Sequence, residues 1–189
     1  GPDFKNIDNR LLSLTLVKEK MTNAVIFTPD GKNKYPSDIL HKKNILILRG
    51  SFRPVTKVNI DMLTEGLDTF KKNKKVDEKN IQLLLEITLS NLMSNGEVDE
   101  RDFLDRADIL CSLGYTVMIS NYKKYYKLSE YLSRYTTARM GVIIGVDNLV
   151  EMFDEKYYRN LNGGIMEAFG IIVNRDIKIY LYPYQPDNK

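Results

Sequence analysis

An α/β fold with a mainly parallel, Rossmann-like sheet and helices on both faces follows from three observations on this 189-residue chain. Short apolar runs stand at 44–48 (NILIL), 81–88 (IQLLLEIT), 115–120 (YTVMIS) and 140–146 (MGVIIGV). They are nearly continuous rather than alternating, the pattern of strands covered on both faces. Helical periodicity separates them, and strand–helix alternation argues a doubly wound parallel sheet. Each run also exits into glycine or short polar residues, where such sheets bind ligands.

Residues 1–43 read as a lead-in, a hairpin or a cover over one sheet edge. Residues 44–189 read as the α/β nucleotide-binding-like domain. In the lead-in, 11–17 and 23–28 are β-like, Pro29-Asp30-Gly31 marks a turn, and Ser37 or Asp38 caps a short helix after Tyr35-Pro36. The strand at 44–48 ends at Arg49-Gly50. A helix follows on Val58, Met62, Leu63, Leu67 and Phe70, closed by the lysine run at 71–75. After the strand at 81–88, a helix at 97–113 carries Phe103, Leu104, Ala107, Leu110 and Cys111 inward, with Gly114 as its stop. A strand at 115–120, a helix at 122–135, a strand at 140–146, helices at 148–158 and 165–172, and a strand at 177–182 closed by Pro183 complete the order.

Composition excludes several classes. The chain is 43% apolar with a net charge of +3, which rules out intrinsic disorder and does not announce a nucleic acid or a membrane. One cysteine excludes a disulfide scaffold, and one cysteine with one histidine cannot build a Cys/His zinc site. A Ser-His-Asp triad would need His41, which sits in a polar stretch. No apolar run approaches a membrane span. The expected compartment is the cytoplasm. Gly1-Pro2 resembles a protease scar, so the expected partners include the rest of a parent chain and a second copy.

The sharpest candidate site is the first strand exit. Gly50, Ser51, Phe52, Arg53, Pro54, Val55 and Thr56 lead straight into a helix whose free amides point outward, with Arg49, Arg53 and Lys57 as nearby cations. That combination suits a phosphate; a plain strand-to-helix turn is the competing reading. Thr88, Asn91, Ser120, Asn121, Gly145 and Asp147 occupy the other exits, and Asp147 is the carboxylate suited to a ribose hydroxyl or Mg²⁺. Gly163 and Gly164 open a second glycine-rich helix start. Tyr122, Tyr125, Tyr126, Tyr131 and Tyr135, with Lys123, Lys124, Lys127 and Arg134, make either a base-stacking surface or an amphipathic helix packed on the sheet. The acids between Glu97 and Asp108 read as a helix start favoured by its dipole, or as a metal site.

Gly50, Ser51, Phe52 and Pro54, with Thr56 where histidine or threonine stands, resemble the signature of the nucleotidyltransferase superfamily. That group includes nicotinate- and nicotinamide-mononucleotide adenylyltransferases, pantetheine-phosphate adenylyltransferases and cytidylyltransferases. Val58 stands where the family has glycine, and Asn59 where it has the catalytic histidine. The family's late phosphate-holding motif has its nearest counterpart in Ser120-Asn121-Tyr122-Lys123-Lys124. Further blocks, Tyr131 to Thr136, Phe153 to Tyr158 and Asn162 to Ile165, are similar to bacterial proteins labelled nicotinate-nucleotide adenylyltransferases. The resemblance implies nucleotidyl transfer from ATP to a mononucleotide, with Mg²⁺ and release of pyrophosphate, as in NAD biosynthesis. Taken together, the resemblance, the strand exits and the glycine-rich helix start give Gly50, Ser51, Phe52, Thr56, Ser120, Asn121, Asp147, Gly163 and Gly164 as expected nucleotide-binding residues. Asn59, in the family's catalytic position, and the neighbouring cations Lys57 and Arg53 are the expected catalytic ones. Asparagine donates a hydrogen bond but carries no charge, so the alternative is an inactive regulatory or interaction module.

Overall fold

In the computed structural model, which describes residues 8–152 and 154–182, the chain opens with helix α1 (Asn9–Lys18). The residue pattern predicts a strand at 11–17, and the structure corrects it. Asp8 caps the helix by accepting from the Arg10 amide at 2.8 Å. Leu11, Leu14 and Val17 turn toward the core, the last two 2% and 0% exposed. A strand would have split these three between opposite faces.

Strands β1 (Ala24–Phe27) and β2 (Asn33–Lys34) form an antiparallel hairpin across the predicted turn, where Gly31 takes φ +77°. In helix α2 (Pro36–Leu40) the cap is Tyr35, without a side-chain bond, rather than Ser37 or Asp38; Pro36 opens the helix instead. Strand β3 (Asn44–Arg49) leads to α3 (Lys57–Lys71) and β4 (Ile81–Thr88). A one-turn helix, α4 (Leu89–Leu92), and a small hairpin, β5 (Met93–Ser94) with β6 (Glu97–Val98), come next.

The helix predicted from residue 97 starts only at Glu100, as α5 (Glu100–Ser112). Asn95 and Gly96 both sit at positive φ, 53° and 83°, and turn the small hairpin. Asp99 then caps α5 by accepting from the Asp102 amide at 3.0 Å. Strand β7 (Val117–Ser120) and helix α6 (Tyr125–Leu132) are shorter than their apolar runs. After β8 (Met140–Gly145), the helix predicted at 148–158 divides into α7 (Val146–Met152) and a 3-10 turn (Glu155–Tyr158) capped by Asp154. Helix α8 (Gly164–Asn174) and β9 (Lys178–Tyr182) follow. Phe153 and Pro183 lie outside the described residues.

The main sheet runs β2-β1-β7-β4-β3-β8-β9. From β7 to β9 the pairings are parallel, whereas β1 runs antiparallel to β7, so the hairpin of the lead-in extends the sheet itself. Strand β3 shows why its run is unbroken. Leu46 and Leu48 join the core under α1, α3 and α5, while Ile45 and Ile47 join the opposite core under α2 and α6. Each buried aliphatic side chain contributes roughly 1.5–3 kcal/mol, so neither face can be left wet. Gly66 lets α3 lie close on β8: a Cβ there would stand 2.5 Å from the Ile143 side chain.

The chain passes from β3 to β4 to β7 with α3 and α5 on one face. It then crosses back through α6 to β8, with α6, α7 and α8 on the other. The neighbours β3 and β8 therefore release the chain toward opposite faces. That reversal opens a crevice beyond their carboxyl ends, the place where doubly wound sheets receive ligands. No helix among the described residues is long and apolar enough to cross a membrane.

Candidate functional site

The crevice is a cleft of about 1050 Å³. One rim is the turn at 50–56 with the start of α3. The other is Lys123, Lys124 and Tyr125 on the way into α6. Thr88 ends β4, Ser90 and Asn91 lie beyond it, and Gly145, Asn148, Tyr158 and Tyr182 also line the cleft.

The first rim is built around a buried plug. Phe52 takes φ +48° and is 2% exposed, with its ring over Gly50. A Cβ on Gly50 would stand 3.0 Å from that ring, so glycine is what lets Phe52 fold back under the turn. Phe52 therefore anchors the turn from below. The next peptide, Arg53-Pro54, is cis. Arg106, itself 3% exposed, donates to the Ser51 carbonyl at 3.0 Å and the Asn91 carbonyl at 3.1 Å, and pairs with Asp102. It ties the turn to the α4 segment. Arg53 reaches the same Asp102, Nε to Oδ1 3.3 Å, yet stays 55% exposed at the cleft.

At the start of α3, Thr56 and Asn59 form a capping box. Asn59 Oδ1 accepts from the Thr56 amide and from its hydroxyl, both at 2.9 Å, while the Asn59 amide donates to Thr56 Oγ1 at 3.3 Å. Asn59 Nδ2 is engaged by no hydrogen bond among the described residues, so the side chain keeps a donor beside the cleft it lines. Val58 is 54% exposed and also lines the cleft. Lys57 is exposed and does not line it.

Arg49 is not the open cation that the sequence suggests. Its Nε and one Nη hold the two Glu86 oxygens at 2.6 and 3.2 Å, and Glu86 is fully buried. Its Nη groups also donate to the carbonyls of Tyr122, at 2.5 Å, and Lys123, at 2.7 Å. The guanidinium lies 4.4 Å from the Tyr125 ring centre. Ser120 belongs to the same network: it is fully buried and donates to Glu86 at 2.7 Å, so its hydroxyl serves the ion pair rather than a ligand. Asn121 bonds the Asn23 carbonyl through its amide at 2.8 Å and lies off the cleft. Gly163 and Gly164 also lie off it, and the Gly163 amide donates to the Glu167 carboxylate at 2.9 Å. Asp147 falls in the first turn of α7, and its side chain is outside the described set.

The tyrosine helix is packed rather than displayed. Tyr126, Leu128, Tyr131 and Leu132 are 1–6% exposed. Burial pushes the Tyr131 phenol far up from its ordinary value, with Tyr135 adding to it. Three of the six acids of the 97–108 stretch are spent on structure: Asp99 caps, Asp102 pairs with Arg53 and Arg106, and Asp108 pairs with Arg10 at 2.6 Å. Among the described residues no cluster of three His, Cys, Asp or Glu side chains is placed to hold a metal, and Asp61 is the only carboxylate lining the cleft. The described lining thus offers a Mg²⁺ ion a single carboxylate, so phosphates would have to supply most of its ligands. Burial, then Glu65 and Asp61, push the Tyr182 phenol up from its ordinary value.

Two residues central to this geometry escape sequence reasoning. Glu86 stands inside a buried apolar run, and a lone acid in such a run signals a hidden cationic partner. Arg106 sits on the inward stripe of α5 beside Phe103, Ala107 and Leu110, and gave a similar signal. Comparison with protein-family models, curated proteins and solved structures found no match.

Proposed function

We propose that this protein binds a nucleotide or a phosphorylated metabolite in the cleft between β3 and β8. One observation supports this above others: the glycine turn and the uncovered start of α3 stand at the reversal point of the sheet. Arg53, Lys123 and Lys124 surround the opening, and Asp61 is the only opposing carboxylate in the described lining. A helix start offers free amides and about half a positive charge to an anion.

The finer reading is nucleotidyl transfer from an ATP-like donor to a mononucleotide phosphate. In it Gly50 and Ser51 allow close backbone approach. Asn59 Nδ2 donates to a phosphate oxygen while Thr56 holds the Asn59 side chain in place, and Arg53 supplies charge after leaving Asp102. Mg²⁺ would arrive on the nucleotide's phosphates, since one or two carboxylates plus phosphates suffice for that ion.

A second reading, a binding module without turnover, is favoured by the capping box. Asn59 Oδ1 is committed to Thr56, and the remaining amide donor carries no charge for a developing phosphate. Calorimetry with ATP, CTP, mononucleotides and dinucleotides tests the binding reading, which fails if none binds. Pyrophosphate release from ATP with nicotinate or nicotinamide mononucleotide then separates the two. Turnover by the wild type establishes transfer. Turnover appearing only in Val58→Gly/Asn59→His identifies a module that lost a charged donor.

A further inference from the structure

Arg49 and Glu86 form a buried ion pair, 9% and 0% exposed, at the heart of the sheet's carboxyl edge. A buried pair is poor evidence for stability, because well-packed apolar side chains of similar size often stabilise as much or more. What the Arg49 guanidinium does, and an apolar side chain could not, is hold backbone. The first rim is tied down by the main chain alone, through the Gly50 amide donating to the Glu86 carbonyl at 3.0 Å. Arg49, forked on the Glu86 carboxylate, grips the carbonyls of Tyr122 and Lys123, which ties down the second. Ser120 braces the Glu86 carboxylate and accepts the Tyr122 amide at 3.3 Å. Lys123 and Lys124 belong to the segment so held and both line the cleft; Lys123 is exposed, while the Lys124 ammonium donates to Asn160 Oδ1 and must leave it to meet a ligand.

We infer that Arg49 is a positioning residue. It sets the Lys123 and Lys124 rim against the rim at 50–56 so that one extended anion, a nucleoside polyphosphate, touches both. The inference rests on the nucleotide reading of the cleft and adds the residue that holds its second rim in place. Lysine cannot replace arginine here, because a single ammonium cannot hold a carboxylate in two places and also reach two carbonyls.

The test compares a long probe with a short one. ATP spans both rims, whereas inorganic phosphate touches only one. Both are titrated by following amide shifts of residues 50–59 in wild type, Arg49→Lys, Lys123→Ala/Lys124→Ala and the combination, each checked for a folded spectrum. Expected is a loss of about tenfold or more in ATP affinity for Arg49→Lys and for the double-lysine variant, the scale of lost charged hydrogen bonds. Phosphate affinity should hold within about twofold, since its rim is untouched. The combined variant should bind ATP no worse than the weaker parent, because both changes remove the same rim. Equal losses for ATP and phosphate, additive losses, or unchanged ATP affinity in Arg49→Lys would overturn the positioning role while the nucleotide reading stands. If Arg49→Lys does not fold, the double-lysine variant decides, and unchanged ATP affinity there overturns the inference. Wild type that binds neither probe removes the nucleotide reading and this inference with it.

Discussion

Helices α3 and α8 both begin after glycine-bearing loops, and the two starts differ in what their free amides face. At α8 the Gly163 amide donates to Glu167, four residues on, at 2.9 Å, so the helix supplies its own anion. A Cβ on Gly163 would stand 2.9 Å from the Glu167 side chain, so the glycine makes room for this internal cap. At α3 the cap is neutral: Thr56 and Asn59 satisfy each other, and no carboxylate sits in the first turn. The α3 start also lines the cleft, and the α8 start does not. Two similar local sequences thus give one open cationic end and one end already neutralised. The lesson is that an anion site needs an unfilled dipole as well as a glycine-rich turn.

The comparison can be broken most forcefully at the plug beneath the first start. Phe52→Ala should lower stability by about 3–5 kcal/mol, the range for emptying a buried phenylalanine site, read as a shift of the urea midpoint. No buried aromatic of the α8 loop plays this part, so a loss under about 1 kcal/mol would mean that the α3 turn is no better anchored than the other.

Ligand binding separates the two starts next. Arg53→Ala should weaken ATP binding by roughly tenfold to a hundredfold, whereas Glu167→Gln should leave it unchanged. An effect of Glu167→Gln equal to that of Arg53→Ala would move the site to α8. The caps give a smaller effect, measured by thermal or urea unfolding. Thr56→Ala removes the capping box and should cost about 0.5–2 kcal/mol. Glu167→Gln keeps an acceptor but loses the charge, and should cost about 0.3–1 kcal/mol, less at high salt.

The smallest effect concerns a third start. Asp8 caps α1, and its hydrogen bonds to Arg10 hold its carboxyl below the ordinary value. A depressed folded value means that this contribution is complete above the unfolded pKa of about 3.9 and is lost as pH falls through the folded one. Asp8→Asn should therefore flatten the stability profile below about pH 4 and change little of its slope near neutrality. An acid limb identical to that of the wild type would show that the Asp8 carboxylate adds nothing as an internal anion.

The alternation of strands and helices was legible because burial on both faces demands continuous apolar runs, and β3, β4 and β8 carry them. The α3 start was legible too, since the glycine-proline turn at 50–56 runs straight into helical spacing at Val58 and Met62, whereas the Thr56–Asn59 capping box was seen only in the structure. Elements whose type depends on neighbours were not. Residues 11–17 suit a strand or a helix by composition, and contact with the β1, β7 and α5 core selects the helix. The hairpin at Asn95 and Gly96 carried a readable turn signal that the acidic helix pattern beside it masked.

By itself the sequence determined the α/β class, the central strand and the glycine turn leading into a helix, because these rest on local periodicity and on residue-specific backbone preferences. Only the tertiary structure decided which charges are available. Arg49 and Ser120 look like ligand groups in the chain, but strand pairing of β3 with β4 and of β4 with β7 brings them to Glu86, and they are consumed there. Arg53, Lys123 and Lys124, far apart in sequence, face one cleft because the strand order reverses between β3 and β8. A charge's role depends on the partner that folding puts within hydrogen-bond reach, and that partner lies tens of residues away in the chain.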